Sequence, residues 1–171
     1  MRALDLPLLH IDDDLVAIDK PAGLLVHPTG LDAHEALDAL TLLQAQLGAP
    51  LWTLQRLDKA TSGVLLFARS AEAARAINAV LDAEAGHLRG HKTYLALVRG
   101  WPLAQGEIDH PLARDPELPS AGQVQLSAYT HYRRLQCHEW PFADGRHASS
   151  RFAVMEVVPL TGRRHQIRRH F

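Results

Sequence analysis

The sequence predicts an α+β fold with a mixed, mainly antiparallel sheet. Three observations carry that expectation. Several short apolar runs have strand character. Only two stretches repeat their apolar residues at helical spacing. The second half is long and strand-rich, with only a few helices inserted along the chain.

The elements follow in chain order. Leu8–Ile11 and Leu15–Asp19 flank Asp12-Asp13-Asp14 and predict a hairpin, because Asp favours turns. Lys20-Pro21-Ala22-Gly23 ends it, since Pro21 lacks a backbone donor and Gly23 admits unusual backbone angles. Asp32 is placed to cap a helix, with Glu35 completing a capping box; Ala36, Leu37, Leu40, Leu43 and Leu47 mark its apolar face and Gly48 its end. Val64–Arg69 reads as a buried strand. Ser70 caps a second helix with Ala73, Ala74, Ile77, Val80 and Leu81 on one face and Gly86 at its end. Lys92–Val98 is a strand, with Tyr94, Ala96 and Val98 on one face and Leu95 and Leu97 on the other. Residues 101–127 hold four of the ten prolines and are expected to be mostly loop. Tyr129–Cys137 and Arg151–Val158 are further strands, with Cys137 expected as a small buried hydrophobe. A short helix is expected to start near Arg164, placing Arg164 and Arg168 on one face.

Composition narrows the function. The chain has 171 residues, 47% hydrophobic and 22% charged, as in a globular protein. It shows no apolar run of the ~20 residues that a bilayer span needs, so no membrane association is expected. No secretory signal is evident at the N-terminus, so a cytoplasmic protein is expected. A single cysteine, Cys137, excludes an internal disulfide and a Cys-rich metal site. The net charge of −1 hides a gradient: residues 1–50 carry 2 basic and 8 acidic groups, whereas residues 131–171 carry 8 basic and 3 acidic. Such asymmetry suits an anionic partner on the C-terminal third, or a solvated basic face.

Three stretches could carry chemistry. Asp58 lies between a short apolar run and the turn Thr61-Ser62-Gly63, where a rigid strand could hold a reactive carboxylate or where Asp could simply cap the turn. Tyr94 sits in a strand, where core packing is the ordinary role. Gly162-Arg163-Arg164-His165-Gln166-Ile167-Arg168-Arg169-His170 is a basic cluster that could meet phosphate or solvent. No H-E-x-x-H, G-x-S-x-G, P-loop or G-x-G-x-x-G is present, and no metal is expected.

In order, Arg56-Leu57-Asp58-x-x-Thr61-Ser62-Gly63, Lys92-x-Tyr94-x-Ala96-x-Val98-x-Gly100 and Gly162-Arg163-x-His165-Gln166-Ile167-Arg168 resemble the RluA family of pseudouridine synthases. Lys20-Pro21-Ala22-Gly23 fits the same pattern. Val26-His27 with Leu31–Glu35, and Thr130–Leu135, are similar to the TruC branch, whose members modify transfer RNA. The resemblance implies the family's catalytic fold, with flanking helices and a central active-site cleft, over residues 1–171 as one domain. It implies Asp58 as catalytic aspartate, Tyr94 as the tyrosine that stacks on the target base, and Arg168 as the basic partner of the aspartate. It further implies that Ile167 walls the pocket and that Arg56, Arg163 and His165 contact substrate. RNA is the implied partner, transfer RNA at uridine 65 ahead of ribosomal RNA, and a monomer is expected. Family members continue for several tens of residues past the last motif, so a C-terminal part is expected to be missing. The family usually has His where this chain has Gln55, a residue expected to orient the loop or touch RNA.

The implied reaction breaks the N1–C1′ bond, turns the base and joins C5 to C1′. It is redox-neutral, so no cofactor is expected. An ionised carboxylate can serve by attacking the sugar, attacking the base or removing a sugar proton. Two other functions fit the same residues less fully. One is an RNA-binding module without turnover. The other is a glycosidase, which would want a second carboxyl group, and none lies in the three stretches.

Overall fold

The computed structural model describes residues 5–27, 37–83, 92–143 and 145–171. The chain forms two compact units, Met1–His87 and Leu88–Phe171.

In the first unit, β1 (Leu8–Ile11) and β2 (Leu15–Lys20) form the expected hairpin. Asp12 makes the turn: its carboxylate accepts the backbone N–H groups of Asp14 at 2.9 Å and Leu15 at 2.7 Å, and meets His10 at 2.8 Å. Those bonds, the His10 contact foremost, lower its pKa to about 2. With β3 (Trp52–Thr53) and β4 (Gly63–Ala68), the sheet runs β1-β2-β4-β3, every pair antiparallel. Its buried face gathers Val16, Ile18, Leu65 and Phe67 against Ala39, Leu42 and Leu43 of α1 (Ala39–Leu47). Burying each such large side chain contributes roughly 1.5–3 kcal/mol.

Helix α1 starts later than the sequence suggests. Asp38, not Asp32, is its N-cap: its carboxylate accepts the N–H of Thr41 at 2.9 Å and the Thr41 hydroxyl at 2.7 Å. Asp38 is extended and bridges Leu25, and Ala39 N–H donates to the Leu25 carbonyl at 2.8 Å, so the chain is tied down just before the helix. Asp32, Glu35 and Ala36 lie outside the described residues. Gly48, at φ 63°, ends the helix as expected. Helix α2 (Ala71–Ala83) is capped by Ser70, whose hydroxyl accepts Ala73 N–H at 2.9 Å. Ala73, Ala74 and Ile77 pack on Ala68 and Leu54. Val80, expected on that face, is instead exposed, as is Val64 on the outer face of β4. The expected helix end at Gly86 lies outside the described residues.

The second unit is an antiparallel sheet in the order β5-β10-β9-β6: β5 (Tyr94–Arg99), β6 (Gln105–Asp109), β9 (Tyr129–Trp140) and β10 (Ser150–Pro159). The small pair β7 (Leu112–Ala113) and β8 (Gln125–Leu126) and the short helix α3 (Gln166–His170) complete it. The stretch expected to be mostly loop therefore supplies three strands. β6 escapes a sequence reading because Gln105-Gly106-Glu107-Ile108-Asp109 has one large apolar residue, and its pairing partner lies far along the chain. Cys137 is exposed, contrary to expectation. β6 pairs only with Tyr129–Arg133, so β9 runs past its neighbour before it reaches Cys137. The core cluster is Val98, Ala153, Met155 and Val157, with Tyr94, Ala96, Tyr132 and Ile167 packed against it.

Candidate active site

Asp58 stands in the loop between β3 and β4, and that loop is anchored from below by Lys20. Lys20 is the last residue of β2, paired with Gly63, and its side chain is fully buried. The ammonium donates to the carbonyls of Leu24 at 2.7 Å, Pro21 at 2.9 Å and Lys59 at 3.3 Å, one acceptor for each proton. Burial pushes the Lys20 pKa down, and the charge of Asp58 opposes that shift. The Lys59 carbonyl also accepts Gly23 N–H at 2.8 Å, where the backbone turns at φ 86°. Thus the Lys20–Gly23 turn and the Asp58–Lys59 loop are held as one piece. Thr61 N–H donates to the Asp58 carbonyl at 2.9 Å and closes the loop as a turn. The turn is closed by the backbone of the half-buried Asp58. Gln55 donates to the Val64 carbonyl at 3.4 Å, bracing the loop to β4. Arg56 is exposed.

Strand alternation behaves as expected in β5. Tyr94 is half-buried and packs against the second core cluster, whereas Leu95 and Leu97 are 75% and 60% exposed. Ile167 packs on the same cluster, so the second unit brings together two of the expected pocket residues.

What positions Ile167 and Arg168 is Gln166, which stands in the quoted motif but has no role assigned there. It is buried and uses its whole amide. Its NH2 donates to the Tyr129 carbonyl at 2.9 Å and Thr130 Oγ1 at 3.0 Å. Its Oε1 accepts the Thr161 hydroxyl at 2.7 Å and Arg163 N–H at 3.0 Å. His170 Nδ1 meets the Thr130 hydroxyl at 2.8 Å and its Nε2 meets the His110 carbonyl at 3.1 Å. A carbonyl only accepts, so Nε2 carries the proton and Nδ1 accepts from Thr130. Burial, chiefly, holds the His170 pKa below its ordinary value.

The basic cluster divides by role. α3 begins at Gln166, so Arg164 precedes it and does not share a helical face with Arg168; it pairs with Glu117 at 3.0 Å. Arg163 donates through Nε to the Ser127 carbonyl at 2.9 Å, and Arg169 donates to the Ala113 carbonyl at 3.0 Å. Arg168 is exposed. His165 caps α3 in the left-handed region at φ 54°, the one such non-glycine among the described residues. Backbone of that kind collects at functional sites. Of the Thr130–Leu135 run, Thr130 is buried and Arg133 forms an ion pair with Glu156 at 3.1 Å, so these positions carry structure. Among the described residues no group of three or more His, Cys, Asp or Glu could hold a metal ion. No described helix is long and apolar enough to cross a membrane.

The first unit braces the loop that carries Asp58, and the second seats Tyr94 beside Ile167 on its core cluster. Residues 14–171 match the family described as RNA pseudouridylate synthase, and the chain belongs to that family. It is 40% identical over 174 residues to tRNA pseudouridine synthase C of Haemophilus ducreyi, covering 98% of this chain and 69% of that protein. The corresponding protein of Vibrio cholerae is 41% identical over 170 residues, covering 96% of this chain and 68% of its own length. That of Pectobacterium carotovorum is 39% identical, covering 96% of this chain and 44% of its own length. The fold matches human RNA pseudouridylate synthase domain containing 1 with a TM-score of 0.75 at 22% identity, over 99% of this chain and 65% of that one.

Proposed function

We propose that this chain isomerises uridine 65 of transfer RNA to pseudouridine, acting as a monomer in the cytoplasm, with its two units serving one catalytic domain. The observation that carries the reading is the bracing of Asp58. Lys20, Gly23 and Thr61 fix the loop's backbone, so the carboxylate is offered from a rigid base. Asp58 acts as the nucleophilic or basic carboxylate. The N1–C1′ bond breaks, the base turns, C5 bonds to C1′, and the C5 proton leaves as N1 gains one, so no atom is added or lost.

Tyr94 supplies the face on which the flipped uracil stacks, worth roughly 1–3 kcal/mol per base. Ile167, on the same cluster, walls the pocket. Arg168 supplies the positive charge that keeps the carboxylate ionised during the reaction. Arg56, Arg163 and His165 contact the RNA. The choice of transfer RNA follows the names of the relatives at 38–41% identity.

The test is to delete the gene in its host, restore it, and map pseudouridine in both RNA pools. Loss and recovery at uridine 65 of transfer RNA is the expected result. Loss confined to large-subunit ribosomal RNA, with transfer RNA unchanged, refutes the transfer-RNA reading.

A further inference from the structure

The end of β5 and the loop joining β9 to β10 enclose a cleft of about 830 Å³, lined by Arg99, Gly100, Arg146, His147, Ser149 and Arg151. None of these residues belongs to the isomerisation site described above. The cleft is built, not incidental. Gly100 turns at φ 85° and donates its N–H to the Arg151 carbonyl at 2.7 Å, closing the end of the sheet. The Arg151 guanidinium lies 4.3 Å from the centre of the Trp101 ring, and its Nε donates to Glu139 at 3.1 Å. Trp101 in turn donates its indole N–H to the His138 carbonyl at 3.3 Å. The loop is tied by the Ser150 hydroxyl on the Phe142 carbonyl at 2.9 Å.

Three guanidinium groups lining one cleft suit a phosphate. Their planar forks match its oxygens in pairs, and an arginine stacked on tryptophan is already ordered. β5 has Tyr94 at one end and Arg99 at the other, about 17 Å apart at ~3.3 Å per residue. A phosphate held here is therefore remote from a base stacked on Tyr94.

We propose that this cleft is a second RNA contact, a site for backbone phosphates that lie away from the target uridine and fix the RNA's register on the sheet. The proposal rests on the reading of the chain as an RNA-modifying enzyme.

The experiment measures binding of a transfer RNA transcript to the wild-type chain and to the Arg99→Gln/Arg146→Gln double variant over roughly 50–200 mM salt. Each lost phosphate contact lowers the slope of log affinity against log salt by about 1, so the double variant loses about 2. Arg99→Lys/Arg146→Lys restores most of it, because the charge returns. An unchanged slope in the Gln variant overturns the proposal. So does a salt slope that the Lys variant does not restore, because the returned charge alone should set it. If the Gln variant does not fold, phenylglyoxal modification of the wild-type chain decides: bound RNA protects Arg99 and Arg146, and equal modification with and without RNA overturns the site. Binding is read without turnover. A chain that binds with the expected slopes but forms no pseudouridine fails the isomerase reading alone. One that forms pseudouridine with an unchanged slope fails this proposal alone.

Discussion

At Lys20, the three protons of one ammonium meet three backbone carbonyls, one of them that of Lys59, the residue next to Asp58. Lys20→Met keeps the apolar stem and removes every one of those bonds. The Lys59 carbonyl keeps its Gly23 donor, but the part-buried carbonyls of Pro21 and Leu24 lose the ammonium, at about 1 kcal/mol or more each. The variant should therefore lose at least about 2 kcal/mol of stability and most of its turnover, because the Asp58 loop slackens. Denaturant titration beside a pseudouridine assay checks this; full stability and full activity in the variant would remove Lys20 from the account. The place of Asp58 in a turn before β4 and of Tyr94 on the inward face of β5 was legible in the sequence, because turn residues and strand alternation mark them. Lys20 read as the residue before a breaker, since nothing local shows that its side chain turns inward. Gln166 was hidden for the same reason: its four partners come from residues three to five positions before it and from the start of β9, 36 and 37 residues away.

At the scale of elements, the strands with apolar runs were readable and the strand made by pairing was not. β6 exists because Gly106 lets Tyr132 of β9 lie across it. A Cβ on Gly106 would meet the Tyr132 hydroxyl at 2.7 Å and ring carbon Cζ at 2.9 Å. Tyr132 cannot simply swing aside, because it packs on the second core cluster and edge-on against Phe171 with ring centres 5.4 Å apart. Gly106→Ala should destabilise the second unit by about 1–3 kcal/mol, seen as a lower denaturant midpoint. A midpoint equal to wild type would show that the ring has room. The start of α1 was misplaced because Asp32 and Asp38 are equally suited to cap by residue type, and it is Asp38 that bonds Thr41 and bridges Leu25. Helix α3 is fastened by His170, whose pKa burial lowers. As pH falls below the ordinary histidine value of about 6.5, the unfolded chain takes up this proton before the folded one does. Stability therefore falls with pH in that window, down to the lowered folded value. His170→Gln should lose less stability than wild type between about pH 7 and pH 5.5. Equal losses in the two proteins would rule out this contribution.

For the whole molecule, the charge gradient suited either an anionic partner or a solvated basic face, and membership of an RNA-modifying family agrees with the first. The division into two compact units was not legible, because no Pro/Gly-rich linker marks it and the charge gradient has no step there. The account turns on Asp58 as the reacting carboxylate of an RNA uridine isomerase. Its most direct test is pseudouridine mapping by carbodiimide and alkali on a transfer RNA transcript treated with wild type or with Asp58→Asn, alongside the affinity of each protein for the same RNA. The account predicts conversion by the wild type, none detectable by Asp58→Asn, and near-equal affinity. Conversion by the variant at a rate close to wild type would contradict it.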